Sequence, residues 1–268
     1  MPAQRDVVAD LTEEGNAVED LVAGLDDDGW KTPTPAEGWT IGHQIGHLTM
    51  VFGMAEKAAA DPDAFRAFLG SLPASFDEAV NQGLRPYLNR DAAALLDAWR
   101  TQRAATERAL LAVPPGQIVP WLVRPIPAKV LAAAGMMELF GHGQDIADAL
   151  GTSRRFTDRV LHVAEFTVLT WEFGYQSRGL PVPARGFRFE LTAPSGASWR
   201  LGDPEAEQSV TGPAVDLCLL ATRRRHRDDL ALTASGADAD HWLDVAQAYR
   251  GSAGPGRKPG QFTAAARQ

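Results

Sequence analysis

The stretch Thr40-Ile41-Gly42-His43-Gln44-Ile45-Gly46-His47-Leu48-Thr49-Met50-Val51-Phe52-Gly53-Met54 decides how the chain is read. Ile41, Ile45, Leu48 and Phe52 recur at helical spacing and form one apolar stripe. His43 and His47 lie four residues apart on a different face. That face is not a wet one: Met50, Val51 and Met54 flank His47 and leave the segment apolar nearly all round. A helix of this kind is buried on both sides, and a histidine within it must find a partner. With Thr40 as N-cap, the pattern predicts a helix over about 41–60.

A second stretch, Met136 to Gly151, supplies the candidate partners. Glu138, His142 and Asp145 share a helix face with Leu131, Ala134 and Ala149, while Met136, Met137, Leu139 and Phe140 cover the other sides. A carboxylate in such surroundings is costly unless it is paired or bound to a metal. Glu138-x-x-x-His142, joined by His47 from a neighbouring helix, makes a His2Glu set suited to a divalent ion with a position left open. Bundle cores commonly house such sites. Spacing alone leaves plainer readings open, with the histidines as surface or satisfied core residues and Glu138 and His142 as an intrahelical hydrogen-bonded pair.

Working outward, Val7, Val8, Leu11, Val18, Leu21, Val22 and Leu25 mark a first amphipathic helix. Another runs from about Arg90 to Val113, where Pro114-Pro115-Gly116 stops it. The helix carrying Glu138 is expected from about 127 to 150, with Gly151 as its C-terminal stop, and a further helix from about 158 to 173. After Gly179-Leu-Pro-Val-Pro183 the period changes to two. Phe187, Phe189 and Leu191 alternate with polar residues, and Pro194-Ser-Gly196 turns the chain into 198–201, a hairpin pattern. A strand at 208–210, a helix from Thr211-Gly212-Pro213, a strand at 230–233 and a helix over 237–249 complete the outline. The fold class is α+β: a helical domain over 1–178, a small α/β domain over 179–252 and a flexible tail over 253–268.

At 268 residues and 45% hydrophobic content the chain can fill a substantial core. Its 26 basic and 34 acidic residues give a net charge of -8, which disfavours nucleic acid and anionic membrane as partners. Cys218, the one cysteine, excludes an internal disulfide and a cysteine-rich zinc module, and fits a packed hydrophobe in a reducing compartment. The N-terminus lacks the features of a signal peptide and no apolar run is long enough to span a membrane, so a cytoplasmic protein is expected. Arg223-Arg224-Arg225-His226-Arg227 reads as a solvated helix end, or as a holder for an anionic substrate. Trp39, Trp121, Trp171, Trp199 and Trp242 read as core or cleft packing.

Gly38-Trp39-Thr40-Ile41-Gly-His-Gln-Ile-Gly-His47-Leu48 followed by Met137-Glu138-Leu-Phe-Gly-His142-Gly-Gln-Asp145-Ile-Ala-Asp-Ala-Leu-Gly151 resembles the mycothiol-dependent maleylpyruvate isomerase-like proteins of the DinB-like superfamily. Val119-Pro120-Trp121-Leu122, Thr211 to Cys218, the Arg-rich turn and His241-Trp242-Leu243 extend the resemblance to an actinobacterial branch described mainly as metal-binding. The resemblance implies a four-helix bundle with a zinc-like ion on His47, Glu138 and His142, followed by a smaller α/β domain. Iron, nickel and manganese suit the same ligands. It also implies mycothiol as cosubstrate: a thiolate adds to an activated double bond and leaves after rotation, or stays attached in S-transfer. Asp145 is then expected to orient His142 or move a proton, and His43 to sit at the cleft edge. Two departures stand out, Phe52 where relatives carry an acidic residue and Gly135 where they carry a basic one. With Met50, Val51 and Met54, Phe52 suggests a greasier pocket and hence a thiol-independent hydrolase, lyase or cyclase of secondary metabolism as the alternative. A non-catalytic binding protein is the third reading. A small-molecule substrate and a monomer or homodimer are expected in either enzymatic case.

Overall fold

The computed structural model describes residues 6–73, 75–88 and 90–262. These divide into two compact units, residues 6–152 and 153–262. Among the described residues no helix is long and apolar enough to cross a membrane.

In the first unit, helix α1 (Val7–Val22) starts where the Asp6 carboxylate accepts from the backbone N–H groups of Val8 and Ala9. Helix α2 (Ile41–Ala60) matches the expected span. Two short helices that the periodicity did not announce follow, α3 (Pro62–Ser71) and α4 (Phe76–Leu88). Helix α5 (Ala92–Ala112) is capped by Asp91 and ends before the prolines. A two-residue ribbon of β1 (Ile118–Val119) and β2 (Ile126–Pro127) leads into α6 (Ala128–Ala149). Gly151, at φ +61°, closes α6 in the left-handed conformation that a side chain resists, and Thr152 N–H returns to Ala147 O.

Helices α1, α2, α5 and α6 form the four-helix core. Leu11 and Val18 of α1, Ile45, Leu48 and Phe52 of α2, Trp99 and Leu110 of α5, and Leu139 and Phe140 of α6 are all buried. Phe52 meets Trp99 edge-on, ring centroids 5.0 Å apart. A Cβ built on Gly135 would lie 3.1 Å from Leu11 Cδ1 and 3.8 Å from Phe52 Cζ, so the two departures from the family pattern are neighbours inside the bundle. Phe52 is therefore a core residue, and the expectation that it greases a substrate pocket is corrected. The outer apolar side of α2 has a separate explanation: α3 and α4 pack on it. Gly46 lets Tyr87 approach, and Met50 touches Gly83.

In the second unit, helix α7 (Val160–Leu169) packs on α9 (Ala214–Ala221), and the short α8 (Phe173–Gln176) on α10 (Ala237–Val245). The sheet contains β3 (Arg188–Thr192), β4 (Ser198–Gly202), β5 (Ser209–Pro213) and β6 (Thr233–Ser235) in the order β4-β3-β5-β6. The expected hairpin is present, with Leu191 opposite Trp199, while β5 runs parallel to β3 on its other edge. Phe187, Phe189, Trp199, Leu217 and Trp242 fill this core. Cys218 is buried, its thiol directed at Val160 O.

Several boundaries differ from those expected. The break between units falls at 152/153 instead of 178, because α7 gives its apolar face to α9 of the second unit. The strand expected at 230–233 begins at Thr233, because Asp216 takes the Ala231 N–H and a 3-10 turn occupies 227–229. The last helix stops at Val245, from where the chain runs extended and Ala248 N–H reaches Ala221 O. The stretch expected to be a flexible tail is laid down as far as residue 262: Arg223 donates to Gly254 O, Gly260 N–H donates to Asp229, and Arg225 stacks on Phe262 at 4.5 Å. Residues 263–268 of that stretch lie outside the described residues, as do residues 1–5.

Candidate metal centre

Packing of α2 against α6 brings His47 to Glu138 and His142. His47 Nε2 stands 3.4 Å and His142 Nε2 3.2 Å from the same carboxylate oxygen, Glu138 Oε2. One ligand atom from each of the three lies within 4.8 Å of the others. The imidazole centroids are 4.5 Å apart. All three side chains are largely buried, at 10%, 21% and 13% exposure for His47, Glu138 and His142.

These separations can be set beside those of ligands around one ion. Nitrogen and oxygen ligands held at ~2.05 Å around a shared tetrahedral ion stand about 3.3 Å apart. Charge-assisted hydrogen bonds between imidazolium and carboxylate settle nearer ~2.8 Å. The observed 3.2 and 3.4 Å suit two ligands of one ion and are also within hydrogen-bonding reach. The donor set is also chemically apt, two borderline nitrogens and one hard oxygen.

Burial alone would raise the Glu138 carboxyl, but hydrogen bonds from His142 and His47, with their positive charge, outweigh it and hold the group well below the usual carboxylate range. The site thus keeps an anion that requires positive charge beside it.

Around this cluster the chain arranges neighbours that spacing did not single out. His142 Nδ1 hydrogen-bonds Gln44 Oε1, and Gln44 Nε2 donates to Thr34 Oγ1 at 2.8 Å. Thr34 Oγ1 in turn donates to Trp39 O at 3.0 Å. Trp39 walls the site, its indole 5.3 Å from the His47 ring and stacked at 6.0 Å on His142. His47 Nδ1 is buried without a hydrogen-bond partner among the described residues. Of the residues expected to assist, Asp145 is fully buried on α6 one turn beyond His142. His43 uses Nδ1 to accept from the Thr40 backbone N–H at 3.3 Å, closing the N-terminal cap of α2. Burial lowers the pKa of His43, which favours its neutral form. The missed residue Gln44 had a signal: it is a polar side chain between Ile41 and Ile45 on a helix buried all round, and its partner was worth seeking.

The model of the mycothiol maleylpyruvate isomerase N-terminal domain matches residues 11–147, which includes all three candidate ligands. The chain belongs to the mycothiol maleylpyruvate isomerase family. Within that family, two Mycobacterium tuberculosis proteins, from strains CDC 1551 / Oshkosh and ATCC 25618 / H37Rv and both named only as uncharacterized, are 40% identical over 250 residues, covering 93% of this chain and 97% of theirs. A solved mycothiol-dependent maleylpyruvate isomerase and its histidine-to-alanine variant share the fold at a TM-score of 0.56, with 17% and 16% identity, over 85% of this chain and 91% of theirs. The family membership confirms the helical bundle and the small sheet-containing region that follows it.

Proposed function

We propose that the protein is a metal-dependent enzyme of the mycothiol-linked isomerase or S-transferase type, acting on a small electrophilic metabolite. The observation that carries the reading is the convergence of His47, Glu138 and His142 within 4.8 Å on the α2–α6 seam, in a family characterised by mycothiol-dependent isomerisation. These three residues would hold one divalent ion, with zinc the first choice. When bound, such an ion supplies Lewis acidity that lowers the pKa of a thiol placed at its open position.

The chain's own residues do the rest. Glu138 stays ionised at working pH and contributes the negative charge of the ligand set. Trp39 covers the two imidazoles with an apolar ring, keeping water from that side. Asp145, buried one turn past His142, is assigned to moving a proton at the reacting centre. His43 is assigned to the edge of the site, where its cap fixes the start of α2 and hence Trp39. In the isomerisation the thiol sulfur forms one S–C bond to an activated double bond, and the same bond breaks after rotation, returning the electron pair to sulfur. In S-transfer the bond remains and a proton is delivered to carbon.

The test is incubation of the full-length, zinc-loaded protein with maleylpyruvate and with other electrophilic alkenes, with and without mycothiol. Turnover that requires both metal and thiol is expected. Turnover without thiol would overturn the thiol-linked reading and favour a hydrolase, lyase or cyclase; metal content without any turnover across the panel would favour a binding protein.

A further inference from the structure

The linkage His142–Gln44–Thr34–Trp39 has a direction that its chemistry fixes. Thr34 is part-buried and spends its hydroxyl proton on Trp39 O, so its oxygen accepts from Gln44 Nε2. An amide whose nitrogen is thereby committed presents its oxygen on the other side. That oxygen can only accept, so His142 Nδ1 must carry the proton it donates. With Nδ1 protonated, a neutral His142 carries its lone pair on Nε2, the nitrogen that stands 3.2 Å from Glu138 Oε2 and that would meet the ion. Gln44 itself is fully buried.

The same linkage ties down the loop before α2. Thr34 N–H donates to Trp39 O at 2.7 Å, and Pro33 bridges to Thr40, so the Thr34 hydroxyl and backbone both grip the residue whose indole covers the imidazoles. One polar thread therefore sets the ring orientation of His142 and the position of the Trp39 wall.

We infer that Gln44 is a positioning residue of the metal centre, holding His142 in the Nδ1–H tautomer with Thr34 fixing the direction of its amide. The inference rests on the metal reading above, and it assigns a role to a residue that contributes no ligand atom. Outer hydrogen-bond partners of ligating histidines typically alter metal affinity by ~10–100-fold when removed.

The experiment is zinc affinity of the full-length, metal-stripped protein, measured by chelator competition, for wild type, Gln44→Met, Gln44→Glu, Thr34→Val and Thr34→Ser, with the melting temperature of each metal-free variant as control. Gln44→Met keeps the size but removes the acceptor, and is expected to bind zinc ~10–100-fold more weakly. Gln44→Glu restores an acceptor and is expected to recover affinity, which a merely structural role would not produce. Thr34→Val, which lets the amide turn over, is expected to fall between, and Thr34→Ser to match wild type. Wild-type affinity in Gln44→Met, or loss in Gln44→Glu equal to that in Gln44→Met, would overturn the positioning role while leaving the metal site standing. Absence of zinc binding in wild type itself would overturn the metal reading. Should Gln44→Met fail to fold, the Thr34→Val and Thr34→Ser pair decides the question by itself.

Discussion

His47 Nε2 and Glu138 Oε2 stand 3.4 Å apart across the seam between two helices, a separation that suits two ligands of one ion. A consequence concerns acid. The carboxyl of Glu138 is depressed in the folded protein, so its stabilising contribution is complete above the ordinary carboxylate value of ~4.3 and declines as pH falls through that range toward the folded value. Denaturant midpoints of the metal-free protein, followed from pH 7 downward, are expected to drop below about pH 4.3, and Glu138→Gln is expected to flatten that part of the profile. Superimposable profiles for the two proteins would contradict it.

Trp39 is half-buried and stacks on His142, so its removal should disturb the site more than the fold. Trp39→Ala is expected to speed chelator stripping of bound metal by about 10-fold, with helix content by circular dichroism unchanged. Trp39→Phe, which keeps an aromatic wall, should restore slow release. Equal stripping rates in all three proteins would remove Trp39 from the site.

Tyr175 offers an independent check of the second unit. Burial first, and then the charge of Asp238, push its phenol up to about 12, and its hydroxyl donates to Asp238 O at 3.2 Å. A raised folded value means stability that is complete below the unfolded value of ~10 and lost as pH rises through the folded one. Tyr175→Phe is therefore expected to lessen the alkaline loss of stability between about pH 10 and 12, read from denaturant midpoints. An unchanged alkaline limb would show that the phenol is not held as described.

Core packing gives a prediction for each unit. Trp99→Ala removes a fully buried ring that meets Phe52 and is expected to cost about 3–5 kcal/mol in urea unfolding. Gly174→Ala would drive a methyl group into the backbone carbonyl of Val245, and a cost of about 1–3 kcal/mol is expected. Wild-type midpoints in either variant would refute the packing described at that position.

The sequence carried the decisive helices in legible form because α2 and α6 are long and their chemistry sits on fixed helical offsets. It also showed that α2 is apolar on every side, but not what covers it. Helices α3 and α4 do so with few fully buried side chains, Phe65 and Leu84, too sparse a stripe for periodicity to register. Met50 and Phe52 consequently looked like pocket lining, whereas Met50 meets Gly83 and Phe52 meets Trp99. The site's three candidate ligands were visible as spacing on two helices, yet their meeting depends on packing between segments far apart in sequence. Gln44 was legible as a polar side chain on an apolar helix, but its partner, a residue on another helix, was not. The boundary at 152/153 escaped for a related reason: α7 is as helical as the bundle, and only its partner, α9, reveals where it belongs.

The most direct test of the metal centre is the metal content of the purified, zinc-reconstituted protein beside His47→Ala, Glu138→Gln and His142→Ala, each checked for intact helix content. About one ion per chain in wild type and under roughly a tenth of that in each variant is the expected result, since removing any one ligand leaves too few to hold the ion. A wild-type protein that takes up no ion, or ligand variants that retain a full one, would contradict a site built on His47, Glu138 and His142.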